Sequence, residues 1–166
     1  DTIEKLTDLK PDFISVTYGA GGSGVTNPIT KDICSKIKNE YKLETIAHLS
    51  CINNTKDEID KILEELKKEG IDNILALRGD RVEGLEPKKD FTYASDLTKY
   101  IMDKGGFHVS GACYPEVHME AKDAVDDIKN LKKKVDAGAD HLISQLFFDN
   151  RVFYDFLERA RIADIN

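Results

Sequence analysis

No apolar run in this chain approaches the roughly 20 residues needed to cross a bilayer, and the N-terminal stretch DTIEKLTDLK is charged where a secretory leader would be apolar. Both absences point to the cytoplasm. Positive charge is also scarce: 24 Lys and Arg stand against 31 Asp and Glu, a formal net charge of −7. Nucleic-acid backbones and anionic membranes are held chiefly by excess Lys and Arg, so the balance argues against both and favours a small-molecule partner. Cysteine is too sparse for a disulfide framework. Cys34, Cys51 and Cys113 are odd in number and widely spaced, with no CxxC and no Cys/His metal pattern, and they read as reduced thiols. Low-complexity segments and linkers are missing too, which makes residues 1–166 one domain on the simplest reading.

What the chain does contain is a serial alternation. The runs FISVTY, ETIAHLSC, NILALRG, HVSGACY and HLISQLFF are each followed by a longer helical pattern. Nearly continuous apolar runs joined by helices are the mark of parallel strands covered on both faces, and the fold class is therefore α/β. Helix boundaries are marked by Asn27-Pro28, by Asn54-Thr55 ahead of DEIDKILEELKKEG with Gly70 as a stop, and by Gly138, which ends the helix containing LKKKVDAGA. About five strands are visible, against the eight of a closed (β/α)8 TIM barrel. A doubly wound five-stranded sheet would be complete at this length, so periodicity leaves both architectures open.

Ligands of parallel α/β folds sit at the carboxyl ends of the strands. The polar residues there are Thr17-Tyr18-Gly19, His48, Arg78-Gly79-Asp80, Tyr114-Pro115-Glu116 with His118, and Gln145. Any one of them could simply cap a helix or meet solvent; five sets at equivalent positions suggest a site. Gly19, Gly21 and Gly24 satisfy G-x-G-x-x-G after a strand, the pattern that receives a dinucleotide pyrophosphate. The next helix starts only near Pro28, too late for the third glycine to pack helix on strand, so a glycine-rich βα loop is the better reading. Arg78-Gly79-Asp80 is either a turn with a surface ion pair or a ligand contact. On the helix after YPEVHMEA, Ala124, Ile128, Leu131 and Val135 share one face, and Asp127, Asn130 and Lys134 line its flank, facing either solvent or a groove. Cys51 and Cys113 read as core rather than as nucleophiles, His108 and His141 open strands at the end away from the site, and no spacing calls for Asp80 and Glu116 as a glycosidase pair.

Taken together, VTYGAGGS at 16–23, AHLSC at 47–51, LALRGD at 75–80, YASDL at 93–97, YPEVHMEAK at 114–122, LKKKVDAGAD at 131–140 and ISQLFFD at 143–149 resemble the methylenetetrahydrofolate reductase family, in order and along nearly the whole chain. The resemblance implies a TIM barrel, here incomplete, carrying non-covalent FAD over the strand ends. It also implies a cytoplasmic flavoprotein oxidoreductase of one-carbon metabolism and methionine biosynthesis. NADH or NADPH would reduce the flavin, which passes hydride to methylenetetrahydrofolate to give 5-methyltetrahydrofolate.

Carried over by position, the flavin-contacting residues are Thr17, Tyr18, Ala20, His48, Arg78, Gly79, Asp80, Ala94, Tyr114, His118, Ala121, Asp127, Asn130, Lys133 and Lys134. Lys133 stands where some relatives have Arg, keeping the charge but losing the planar fork. Asp80 and Gln145 match the catalytic, pterin-meeting residues, Asp80 placed to stabilise a cationic iminium and Gln145 shared with the nicotinamide. The resemblance further implies that the chain corresponds to strands two through six. The family's general-acid glutamate, in a motif like FEFFPP, would lie before residue 1, and these residues alone would not turn over folate. Unpaired parallel edges would then favour association between copies. Two rival expectations stand beside this one: a Rossmann-type NAD-binding domain using GAGGSG, and a non-catalytic barrel remnant.

Overall fold

The computed structural model describes residues 2–17, 28–81, 84 and 86–165, with the backbone alone at 28 and 29. The glycine-rich loop, with Tyr18, Gly19, Ala20, Gly21 and Gly24, lies outside the described residues, as does the expected cap Asn27. Five strands form where the apolar runs predict them: β1 (Phe13–Val16), β2 (Glu44–Ser50), β3 (Asn73–Leu77), β4 (His108–Cys113) and β5 (His141–Ser144). Between and around them run α1 (Thr2–Thr7), α2 (Pro28–Asn39), α3 (Lys56–Lys68), α4 (Ala94–Lys104), α5 (Ala124–Asp136) and α6 (Asn150–Ile162). The short α1 carries no periodic apolar signal and was not foreseen.

All pairings are parallel, and the spatial order is β1-β2-β3-β4-β5, the order of the chain. That order separates the two architectures left open by periodicity. A doubly wound sheet reverses strand order at a switch point, whereas a barrel adds each strand beside the last. The five strands curl into a half-barrel, an incomplete TIM barrel, and the Rossmann alternative falls.

Local chemistry explains the helix boundaries. Thr55 caps α3 by accepting from the Glu58 N–H at 3.3 Å, while the Glu58 carboxylate accepts from the Thr55 N–H at 2.7 Å, a reciprocal capping box. Gly70, at φ +74°, turns the chain out of α3 toward β3. Asp123 caps α5 by accepting from the Asp126 N–H at 2.8 Å.

Side-chain alternation divides the sheet into two faces. Ala47, Leu49, Ile74, Ala76 and Val109 point outward and pack with Cys34, Ile37, Ile59, Leu63, Leu66, Leu97 and Ile101 of the helices in one buried core. A second cluster joins Cys113 to Ile128, Leu131, Phe156 and Ala160. All three cysteines are free and buried, Cys51 and Cys113 in the core as expected and Cys34 with them. Burial pushes the thiols of Cys34 and Cys51 up to about 12 and that of Cys113 to about 11, so at neutral pH they are inert packing groups. The opposite face carries Ser15, His48, Leu75, Leu77, Ala112 and Ile143, and its upper part is left for the site.

At the amino ends of the strands, His108 and His141, to which no site role was given, share one partner. Their Nδ1 atoms each lie 3.0 Å from a carboxylate oxygen of Asp140, joining the foot of β4 to that of β5. The bond to Asp140 raises the His108 pKa above its ordinary 6.5. A raised imidazole pKa gives stability that is complete below the unfolded value and fades as pH climbs through the folded one. Urea unfolding of wild type and His108→Gln at about pH 5.5 and about pH 8.5, on either side of the ordinary imidazole pKa, should show the wild-type advantage at the lower pH only. An equal difference at both would rule out the ion pair as its source.

Candidate functional site

A cleft of about 830 Å³ opens over the carboxyl ends of β2 to β5. Each strand end delivers its polar residue for a reason visible in the backbone. Beyond the end of β3 the Arg78 carbonyl still accepts from the Cys51 and Ile52 N–H groups, at 3.2 and 2.8 Å, so the root of the Arg78 side chain is fixed. Gly79 then turns at φ +86°, where a β-carbon would meet the Ser50 β-carbon at 2.9 Å; glycine meets both demands. After β4 the chain folds over the opening, with Val117 at φ +70°. His118 stacks edge-on against Tyr114, with ring centroids 4.6 Å apart. Its Nδ1 accepts from the Glu120 N–H at 3.1 Å, which leaves Nε2 as the ring's donor nitrogen.

The structure brings His48, Arg78, Gly79, Asp80, Ala94, Tyr114, His118, Ala121, Asp127, Asn130, Lys133, Lys134 and Gln145 together around this one cleft. The stripe on α5 thus faces the groove rather than solvent. Thr17, which follows β1, lies outside the lining; its carbonyl accepts from Thr30 Oγ1 at 2.9 Å, tying α2 to β1. Glu116 turns away with Pro115 into a separate shallow groove beside Arg159, so an Asp80–Glu116 acid pair does not form. Ser15, Tyr93, Ser95, Glu120 and Asp126 also line the cleft and were not singled out. Tyr93 had a signal, its place before Ala94 at the start of α4. Glu120 had none, because its significance lies in Arg78, which is 42 residues away in sequence.

Burial dominates the electrostatics. It pulls the Lys134 ammonium below its ordinary pKa, opposed by Asp127, and pushes the Asp127 carboxyl up, opposed by the His118 backbone N–H and by Lys134. Lys134 Nζ donates to the Ala112 carbonyl at 2.8 Å and sits 5.9 Å from the centre of the Tyr114 ring. Burial also lowers the His48 pKa, and its Nε2 is buried without a hydrogen-bond partner on the cleft wall. Such an orphan costs about 1–3 kcal/mol unless a ligand satisfies it. Along the rim, Lys133 Nζ donates to Asn130 Oδ1 at 2.9 Å, and Asn130 Nδ2 donates to Asp126 at 3.3 Å. No cluster of metal-ligating groups occurs among the described residues, and none of their helices is long and apolar enough to cross a membrane.

A sequential parallel half-barrel, with cations and the unpaired His48 Nε2 over its strand ends, defines the class: an incomplete TIM barrel with a cleft at the carboxyl ends of its strands. The solved structures that resemble it agree on the fold. A 2,3-dimethylmalate lyase superposes with a TM-score of 0.68 at 11% identity, over 95% of this chain and 57% of that one. A phosphoenolpyruvate phosphomutase from Streptomyces platensis subsp. rosaceus gives 0.68 at 13%, over 95% and 60%. The family model described as methylenetetrahydrofolate reductase matches residues 1–166, and the chain belongs to that family. It is 45% identical over 166 residues to the 5,10-methylenetetrahydrofolate reductase of Escherichia coli (strain K12), covering all of this chain and 55% of that protein. It is 38% identical over 181 residues to methylenetetrahydrofolate reductase (NADH) 1 of Arabidopsis thaliana, covering 30% of it. The chain spans about half the length of the bacterial relatives it matches.

Burial works against the Lys134 ammonium, which is half-buried near Asp127 and hydrogen-bonded to one carbonyl, so its charge adds little to stability. Replacing Lys134 with Met, of similar reach, should therefore leave the ligand-free protein at least as stable as wild type in urea unfolding. A loss greater than about 1 kcal/mol, the worth of a typical hydrogen bond, would mean that the bond to Ala112 is a structural necessity.

Proposed function

We propose that the chain is a partial catalytic domain, residues 1–166, of a 5,10-methylenetetrahydrofolate reductase working through FAD. The observation that carries this reading is the convergence of Arg78, Lys134, Asp127, Asn130, His118 and the unpaired His48 Nε2 on one cleft, in a chain of this family. These groups fit a dinucleotide flavin: cations suit its pyrophosphate, carboxylate and amide its hydroxyls, and the His48 imidazole its polar ring edge. When bound, FAD supplies the hydride relay from NADH or NADPH to methylenetetrahydrofolate.

The protein's own contribution is position and field. His48, held neutral by burial, satisfies its free nitrogen on the ligand instead of carrying charge into the site. Tyr114 and His118, packed edge to face, wall one side of the cleft. Asp80, on the turn fixed by Gly79, supplies a negative charge beside the cationic iminium formed when the folate ring opens. Gln145, whose N–H donates to the Cys113 carbonyl at 2.8 Å, stands at the end of β5 to orient the pterin and, before it, the nicotinamide. Tyr18, Ala20 and the cleft-lining Ala121 belong to the same proposed flavin site, with Thr17 beside it.

Of the described strand ends, none offers a free glutamate toward the cleft, since Glu120 is engaged by Arg78 and Glu116 points away. β1 and β5 each pair on one side among the described residues, and Leu146 and Phe148 stand exposed just beyond β5. Association into a homo-oligomer would cover such surfaces. The assigned compartment is the cytoplasm.

The test is an absorbance spectrum of the purified chain after incubation with FAD and removal of the excess, read at the flavin band of about 450 nm. Retained flavin that falls at least about tenfold in affinity in Asp127→Ala, as expected for a buried contact of 1.4 kcal/mol or more, supports the reading. A folded sample that retains none favours the non-catalytic barrel remnant.

A further inference from the structure

Arg78 does not present a free guanidinium to the cleft. Nη1 and Nη2 donate to the two oxygens of Glu120 at 2.5 and 2.7 Å, and Nε donates to the Gly79 carbonyl at 3.3 Å. A guanidinium offers an anion two planar forks, one between its terminal nitrogens and one between Nε and its neighbour. Glu120 fills the first, and the Gly79 carbonyl engages the second. A phosphate cannot take a two-pronged grip on Arg78 unless Glu120 moves.

The partners differ in how firmly they are held. Arg78 is rooted through its carbonyl in the extended pairing of β2 and β3, and its side chain is 22% exposed. Glu120 sits on the segment between β4 and α5 with its side chain 53% exposed, so it is the member free to swing out. Cleft charge argues the same way. Four lining carboxylates, Asp80, Glu120, Asp126 and Asp127, face three cations, Arg78, Lys133 and Lys134. With Glu120 in place the lining carries one excess negative charge, and with Glu120 withdrawn the charges balance, which is the state suited to receiving an anion. The guanidinium holds the Glu120 carboxyl down to about 2, so this competitor stays ionised throughout the neutral range.

We propose that Glu120 sets the affinity and selectivity of the cleft by occupying, on Arg78, the place that a ligand's phosphate takes. Binding is then an exchange of one anion for another, and only ligands whose phosphoryl group displaces the carboxylate gain Arg78 as a partner. Glu120 acts through Arg78 and is a positioning residue. The inference rests on the reading above, in which the ligand is a phosphate-bearing flavin.

The experiment compares wild type, Glu120→Gln, Arg78→Lys and the double variant in titrations with FAD, riboflavin and inorganic pyrophosphate. Gln keeps the size of this exposed side chain while removing its charge. Glu120→Gln should bind FAD and pyrophosphate about fivefold more tightly, the factor that a partly exposed ion pair represents, and leave riboflavin unchanged. In the Arg78→Lys background the effect should vanish, because the fork for which Glu120 competes is gone. Unchanged or weaker FAD and pyrophosphate binding in Glu120→Gln overturns the proposal, as does a parallel weakening of riboflavin, which would mark Glu120 as merely structural. Absence of any phosphate-dependent binding overturns it too. The two readings separate cleanly: tighter pyrophosphate with no flavin bound by any variant sinks the flavin assignment and keeps the exchange, whereas flavin bound alike by wild type and Glu120→Gln does the reverse.

Discussion

Parallel pairing of each strand with its successor is the constraint on which this structure depends. A parallel neighbour can be reached only by a crossover long enough to bring the chain back to the starting edge, so a helix intervenes each time and covers the outer face of the sheet. The crossings share one hand, and every strand therefore ends at the same rim. Residues more than a hundred positions apart, from Ser15 to Gln145, meet there without any local sequence relation. Ala47, Leu49, Ile74, Ala76 and Val109 hold the arrangement from the outside, in a core to which the rim contributes little.

That division leaves the rim able to carry groups that a stable core would reject. Lys134 is half-buried against one carbonyl, Asp127 is held above its ordinary pKa by burial, and His48 keeps an unpaired nitrogen. Each costs stability in the ligand-free chain, and each is the kind of group that an anionic, polar-edged ligand would satisfy. Arg78 differs in that its charge is already met, by a carboxylate from a different crossover. The cleft thus combines unmet polar groups, which attract a ligand, with one occupied cation, which makes the ligand compete.

Most of the architecture was legible before any coordinates. Strand positions followed from apolar runs, and the capped start of α3 from Asn54-Thr55 with Gly70 at its end, because period and capping are local properties. Motif resemblance pointed to many of the residues that line the cleft, and His48, Arg78, Asp127, Asn130, Lys134 and Gln145 do meet there. Local pattern left the rest open, and only the motif resemblance pointed to the barrel. Five apolar runs fit either a half-barrel or a doubly wound sheet, since both present the same buried strands to the sequence. Nor could local pattern show that α5 turns its polar flank inward, that Thr17 leaves the cleft lining, or that Asp140 joins His108 to His141.

What the sequence determined by itself is the set of elements and the chemistry at their ends, because helix and strand periods, caps and turns depend on neighbours a few residues away. What only the tertiary structure decided is which ends meet and in what state of charge. The sequential strand order, the burial that shifts His48, Asp127 and Lys134, and the capture of Arg78 by Glu120 all arise between groups far apart in the chain. Desolvation and pairing are properties of the space around a group, and that space exists only once the crossovers have brought the strands side by side.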